Sequence, residues 1–204
     1  GLMMLPPMRY KASDAEIVHY FKSVANSTSL PIMIYNNPVD YKLVVTLDMF
    51  QELLDACPNI QAVKESTRDT TNITRIKNRF GNRLAIMTGV DTLALESLVL
   101  GADGWVAGLV DAFPAETVAI YKLIKAGRMQ EAITIYRWFM PLLELDIHPK
   151  LVQYIKMAAV YTGIGNEYVR APRLVLEGAE RVRIEKVITD ALAIRPTLPD
   201  YKNL

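Results

Sequence analysis

Residues 62–66 read Ala-Val-Lys-Glu-Ser (AVKES) and put a lysine, Lys64, at the end of the short apolar run Ile60 to Lys64. The run has the length and the Ile/Val content of a buried strand, so its terminal cation needs a reason. An exposed charge on the rim of a sheet is one. The other is a working amine: burial disfavours the charged form of a lysine and leaves a nucleophile that condenses with a ketone.

Four further runs of the same kind flank it: Leu2 to Leu5, Ile32 to Tyr35, Leu84 to Thr88 and Gly104 to Leu109. Amphipathic segments lie between them, giving the βαβα alternation of a parallel sheet with packed helices. The text SDAE from Ser13 to Glu16 has the form of a capping box opening a helix over Ala15 to Val24. Further helices are expected over Leu47 to Ala56, Thr70 to Arg79 and Thr92 to Leu100, with Gly101 at the C′ position and Pro114 opening the next.

From there the chain reads as helices alone: Ala115 to Lys125, Met129 to Leu145, Lys150 to Tyr161 and Ala179 to Ala193. The expected division is therefore βα repeats over 1–125 and a helical subdomain over 126–204.

Composition narrows the classes of function. Among 204 residues, 23 basic and 22 acidic side chains leave a net charge of +1, and no basic cluster marks a nucleic-acid surface. No apolar run reaches the roughly 18 residues of a membrane span. One cysteine, Cys57, allows no internal disulfide, which fits a reducing cytoplasm. His19 and His148 stand without a metal-ligand grouping. The start GLMMLPPMRY reads as a strand leaving a core, so the chain is expected to begin inside a fold.

Polar residues gather at the C-terminal ends of the strands: YNNP from Tyr35, KES from Lys64, TGVD from Thr88 and AGLVDAF from Ala107. Parallel α/β proteins keep their sites at that rim. A lysine imine needs a proton shuttle, and a tyrosine hydroxyl serves when it lies within hydrogen-bond reach. Tyr35 ends the strand before Lys64, and neighbouring strands lie about 5 Å apart. The plainer reading of Tyr35 is a core aromatic whose hydroxyl bonds to backbone.

YNNP, then KES, then GVD and GADGWVAG together resemble the dihydrodipicolinate synthase and N-acetylneuraminate lyase family of Schiff-base (β/α)8 TIM barrels. The resemblance covers essentially the whole chain, including RAPRL at 170–174. It implies an α/β fold in which this chain supplies about strands four to eight of the barrel plus a C-terminal helical subdomain. It also implies that Lys64 forms an imine with a small 2-keto acid or cyclic imine, that Tyr35 relays protons, and that Gly89, Asp91 and Val106 line the substrate site. Asp91 reads equally as a helix N-cap. The family works without metal or organic cofactor, through the covalent lysine imine alone, and assembles as homo-oligomers, dimers or tetramers.

Two departures qualify the resemblance. Synthases of lysine biosynthesis carry an arginine two residues past the proline of the tyrosine motif, where this chain has Asp40. The local text is more similar to the branch that deaminates Δ1-pyrroline-4-hydroxy-2-carboxylate in hydroxyproline breakdown. The family's Thr-Thr-Gly-Glu carboxylate loop is not within the 204 residues, and a barrel of this type takes roughly 250. Residues 1–204 are thus expected to belong to a longer chain or to fold with a covering partner. The competing expectation is a truncated, non-catalytic homologue serving as an assembly module.

Other prominent residues read as structure. Trp138, Phe139, Met140, Leu142, Leu143 and Leu145 form a core or interface stripe. His148 before Pro149 is a loop or cap residue, and Cys57 is an unpartnered thiol at a helix end.

Overall fold

The computed structural model describes residues 1–7 and 9–204 and divides into two compact units, Gly1–Val106 and Ala107–Leu204. The first unit holds five parallel strands in sequential order: β1 (Leu2–Met4), β2 (Ile32–Asn36), β3 (Ile60–Glu65), β4 (Ala85–Thr88) and β5 (Gly104–Trp105). Helices α1 (Asp14–Asn26), α2 (Pro38–Tyr41), α3 (Leu47–Ala56), α4 (Thr71–Phe80) and α5 (Ala94–Val99) connect them. Each crossover carries a helix because parallel neighbours cannot be joined by a tight turn.

Helix starts follow local chemistry. Ser13 accepts from the Glu16 amide while Glu16 Oε2 accepts from the Ser13 amide at 2.7 Å, so the expected capping box forms. Thr46 caps α3 through the Met49 amide. Gly101 follows α5 with φ +109°, a conformation that a side chain resists.

Side chains alternate across the strands. Ile34, Asn36, Val63, Glu65, Ile86 and Thr88 are buried on one face. Met33, Tyr35, Ala62, Lys64, Ala85 and Met87 occupy the opposite, half-buried face. The β2–β3 ladder is irregular: Ile32 pairs with Ile60, but Met33 pairs with Ala62. At its far end Arg83 Nη1 donates to the Ile60 carbonyl at 2.8 Å and Nη2 donates to those of Leu54 and Cys57, tying α3 to the start of β3.

Two expectations are corrected and one short helix is added. The run Gly104 to Leu109 forms a ladder only at Gly104 and Trp105, and Leu109–Asp111 is a 3-10 turn. A Cβ at Gly108 would meet Asp146 Oδ1 at 1.9 Å, so the chain there lies tightly against a side chain instead of a strand. The helix expected over Thr92 to Leu100 opens as a 3-10 turn over Asp91–Leu93. Helix α2, four residues long, was not expected, because so short a segment has no apolar period to read.

The second unit is helical: α6 (Pro114–Lys125), α7 (Met129–Leu143), α8 (Leu151–Tyr161) and α9 (Gly178–Ala193). Phe113, Trp138 and Phe139 pack as an aromatic cluster, with Trp138 and Phe139 stacked at 5.4 Å and Trp138 Nε1 donating to the Ala191 carbonyl. The apolar stripe of α7 is therefore core. His148 accepts from the Lys150 amide and stacks on Tyr154, in a loop as expected.

Candidate active site

Parallel pairing sets Tyr35 directly opposite Lys64, and Lys64 opposite Met87. Directly paired residues point to the same face, so the amine and the phenol share the half-buried side of the sheet at its C-terminal end. Lys64 Nζ lies 4.2 Å from the centroid of the Tyr35 ring, over its face. Such a contact is worth about 0.5–1 kcal/mol where water reaches it. Among the described residues no carboxylate pairs with this ammonium, and the Tyr35 ring is its recorded contact.

The Tyr35 hydroxyl is engaged elsewhere: Asn37 Nδ2 donates to its oxygen at 3.2 Å. Tyr41 packs edge-on against the Tyr35 ring at 5.4 Å and 87°. Burial, then the nearby Tyr35 and Asp40, push the Tyr41 phenol above its ordinary range, so this neighbour stays protonated.

Gly89 makes room for the lysine. A Cβ built there would lie 2.6 Å from Lys64 Cε, 2.8 Å from Lys64 Cγ and 2.2 Å from Ser66 Oγ. Any side chain at this position would displace both residues, so Gly89 shapes the site by absence. Its amide donates to the Glu65 carbonyl at 2.9 Å, which fixes the approach.

Ser66 was not singled out in the sequence. Its hydroxyl is buried beside Gly89 and has no hydrogen-bond partner among the described residues. Buried hydroxyls are satisfied in the large majority of cases, and an exception next to a candidate nucleophile marks a place for a ligand atom.

Behind the strand, Glu65 is 4% exposed and accepts three kinds of donor: the Thr67 amide at 2.8 Å, Asn36 Nδ2 at 3.1 Å and Asn72 Nδ2 at 3.0 Å. Asn36 is itself clamped to the Val45 backbone through both ends of its amide. This network joins β2, β3, α4 and the loop before α3 under the lysine. Burial dominates and pushes the Glu65 carboxyl above its usual range, against the lowering effect of its donors.

The remaining expected residues, Asp91 and Val106, make other recorded bonds. Asp91 is fully buried and its Oδ1 accepts from Trp105 Nε1 at 2.9 Å. It opens the 3-10 turn, and neither that turn nor α5 shows a side-chain cap bond. The Val106 amide donates to the Thr88 carbonyl at 2.9 Å, prolonging the β4–β5 ladder at the same end of the sheet. Among the described residues no three His, Cys, Asp or Glu side chains gather to hold a metal ion, and no helix is long and apolar enough to cross a membrane.

A parallel sheet with a lysine and a tyrosine paired at its C-terminal rim defines an α/β protein of the class that works at strand ends. The chain belongs to the Dihydrodipicolinate synthetase family, whose profile matches residues 1–191. It is 25% identical over 190 residues to 4-hydroxy-tetrahydrodipicolinate synthase of Endomicrobium trichonymphae, covering 93% of this chain and 65% of that protein. The Staphylococcus carnosus synthase is 28% identical, with 91% and 63% covered. The chain thus spans less than two thirds of the length of these curated relatives.

Solved structures share the fold. Dihydrodipicolinate synthase from Aquifex aeolicus superposes with a TM-score of 0.86 at 24% identity, over 96% of this chain and 67% of that one. A catalytic-lysine mutant of the sialic acid aldolase of Ruminococcus gnavus gives 0.83 at 23%, over 95% and 66%.

Proposed function

We propose that this protein is a class I lyase that binds a small 2-keto acid, or a cyclic imine, as a covalent imine of Lys64. The observation that carries the reading is the pairing of Lys64 with Tyr35 on the open face of the strand ends, with Gly89 clearing the lysine stem. As an uncharged amine, Lys64 adds to the keto carbon and forms a C–N bond, the C=O π bond opens, and a proton passes from the nitrogen to the oxygen, giving a neutral carbinolamine. A second proton on the resulting hydroxyl lets water depart, and the nitrogen lone pair completes the C=N bond. Tyr35 is the donor of that proton, and the iminium left behind withdraws electrons from the adjacent carbon. No further cofactor is needed for this sequence.

Ser66 offers its unpartnered hydroxyl to an oxygen of the bound acid. Within this reading the chain supplies strands four to eight of a (β/α)8 barrel over residues 1–125, with 126–204 as the helical subdomain. Exposed apolar side chains at Ile164, Tyr168, Leu174 and Val182 support assembly with further copies.

Asp40 supports the narrower assignment. Its carboxylate belongs to the Tyr35–Asn37 network and would repel a second anionic substrate, which disfavours lysine biosynthesis. It suits Δ1-pyrroline-4-hydroxy-2-carboxylate, which on transfer to Lys64, loss of its hydroxyl as water and hydrolysis yields ammonia and a 2-keto acid semialdehyde.

Borohydride reduction with pyruvate tests the imine directly. The wild-type protein should gain covalent mass at Lys64, and Lys64→Ala should gain none. An unmodified wild-type protein overturns the reading. Comparing ammonia release from the hydroxyproline-derived imine with cleavage of 4-hydroxy-2-ketoglutarate and of N-acetylneuraminate separates the branches.

A further inference from the structure

Asn37 is 5% exposed and uses every part of its amide. Oδ1 accepts from the Asp40 amide at 3.3 Å, capping α2, while Nδ2 donates to Asp40 Oδ2 at 2.7 Å and to Tyr35 Oη at 3.2 Å. The amide orientation follows from these partners. Reversing it would press a carbonyl oxygen against the Asp40 carboxylate at the 2.7 Å contact and an N–H against the Asp40 N–H.

Capping alone does not explain the choice of residue. Serine, aspartate and asparagine cap helices about equally well, and only asparagine brings an N–H donor as well. That donor is aimed at the hydroxyl of the one tyrosine that faces Lys64 across the ladder. A phenolic oxygen that accepts from one side is constrained to send its own proton elsewhere.

We propose that Asn37 is the positioning residue for Tyr35: by donating to Oη it turns the phenolic proton away from the α2 loop and toward an atom carried on Lys64. The inference rests on the imine function argued above. In the dehydration step Tyr35 gives its proton to the carbinolamine hydroxyl, the C–O bond breaks, water leaves, and the nitrogen lone pair closes the C=N bond. The phenolate oxygen left behind still accepts from Asn37 Nδ2, so the donor set needs no rearrangement during proton transfer. Asp40 enforces the arrangement by anchoring both ends of the Asn37 amide.

Two variants of the full chain separate positioning from capping. Asn37→Ser keeps a cap and removes the donor. The double variant Asn37→Asp with Asp40→Asn keeps a bonded pair at the loop but presents Tyr35 with an acceptor, so its hydroxyl must donate toward residue 37. Tyrosine labelled with carbon-13 at Cζ, assigned by comparison with Tyr35→Phe, reports whether the hydroxyl donates or accepts. The rate of borohydride-trappable imine formation from pyruvate reports the consequence.

The Tyr35 resonance should shift in Asn37→Ser and shift further, in the sense of a donating hydroxyl, in the double variant. Imine formation should slow about tenfold and about a hundredfold respectively, the second at the lower end of what a positioned acid supplies, with melting temperatures near the parent's. A Tyr35 resonance unmoved in both variants overturns the proposal, and so does undiminished imine formation in the double variant. If the wild-type protein traps no imine at all, the catalytic reading falls, and the resonance shift still decides whether Asn37 orients the hydroxyl.

Discussion

Gly89 and Lys64 touch in a way that leaves no space for a methyl group: a Cβ on the glycine would sit 2.6 Å from Lys64 Cε, with Ser66 Oγ nearer still. Gly89→Ala should therefore fold, because no positive φ is required there, but at a cost of about 1–3 kcal/mol for overpacking. The displaced lysine should slow imine trapping about a hundredfold, as misplacement by an ångström does. Thermal melts and borohydride kinetics on the same sample check both parts.

Ser66→Ala removes a buried hydroxyl that has no partner among the described residues. Stability should rise by about 1 kcal/mol as the unsatisfied group disappears. Keto-acid binding should weaken at the same time, seen as a raised KM with kcat little changed. A variant that is less stable than the parent would show that the hydroxyl is already satisfied.

Glu65 links the site to pH. The folded protein holds the Glu65 proton to higher pH than the unfolded chain does, because burial dominates its environment. The unfolded state therefore releases the proton first, and this group's contribution to stability falls as pH rises from the ordinary value of 4.5 through the folded one. Glu65→Gln lacks the titration, and with its amide oxygen turned to Asn36 and Asn72 its NH2 would face the Thr67 N–H, costing about 1–3 kcal/mol. In urea denaturation the parent's advantage over Glu65→Gln should narrow as pH rises above the ordinary carboxyl value of 4.5.

Cys57 is 1% exposed, and burial raises its thiol above the usual range. A thiol reagent at mildly alkaline pH should leave the native protein unmodified and react fully in denaturant. Rapid native labelling would mean that the end of α3 opens readily.

Much of this arrangement was legible in the sequence because its signals are local. The capping box of Ser13 and Glu16, the apolar run of Ile32 to Tyr35, and the placement of Tyr35 and Lys64 at strand ends each need only a few neighbouring residues. The support of the site was not legible. Glu65 meets Asn72 only because α4 folds back on β3, and Asn37 meets the Tyr35 hydroxyl through a helix too short to have a period. Gly104 to Leu109 misled for the opposite reason: its apolar text suits a strand, yet the strand covers only Gly104 and Trp105 and the run ends in a 3-10 turn.

The ladder irregularity at the start of β3 has a further consequence. Counted without interruption from Ile32 and Ile60, Tyr35 would stand opposite Val63, and Lys64 would point beneath the helices with the core. One extra residue, Gln61, unpaired between Ile60 and Ala62, advances the strand by a single step and turns the amine outward to meet the phenol. The ladder irregularity thus absorbs a residue with no chemical part and keeps amine and phenol on one face. Deleting Gln61 would close the irregularity and keep Tyr35 opposite Lys64, whereas deleting Val63 would set the lysine opposite Ile34 on the buried face.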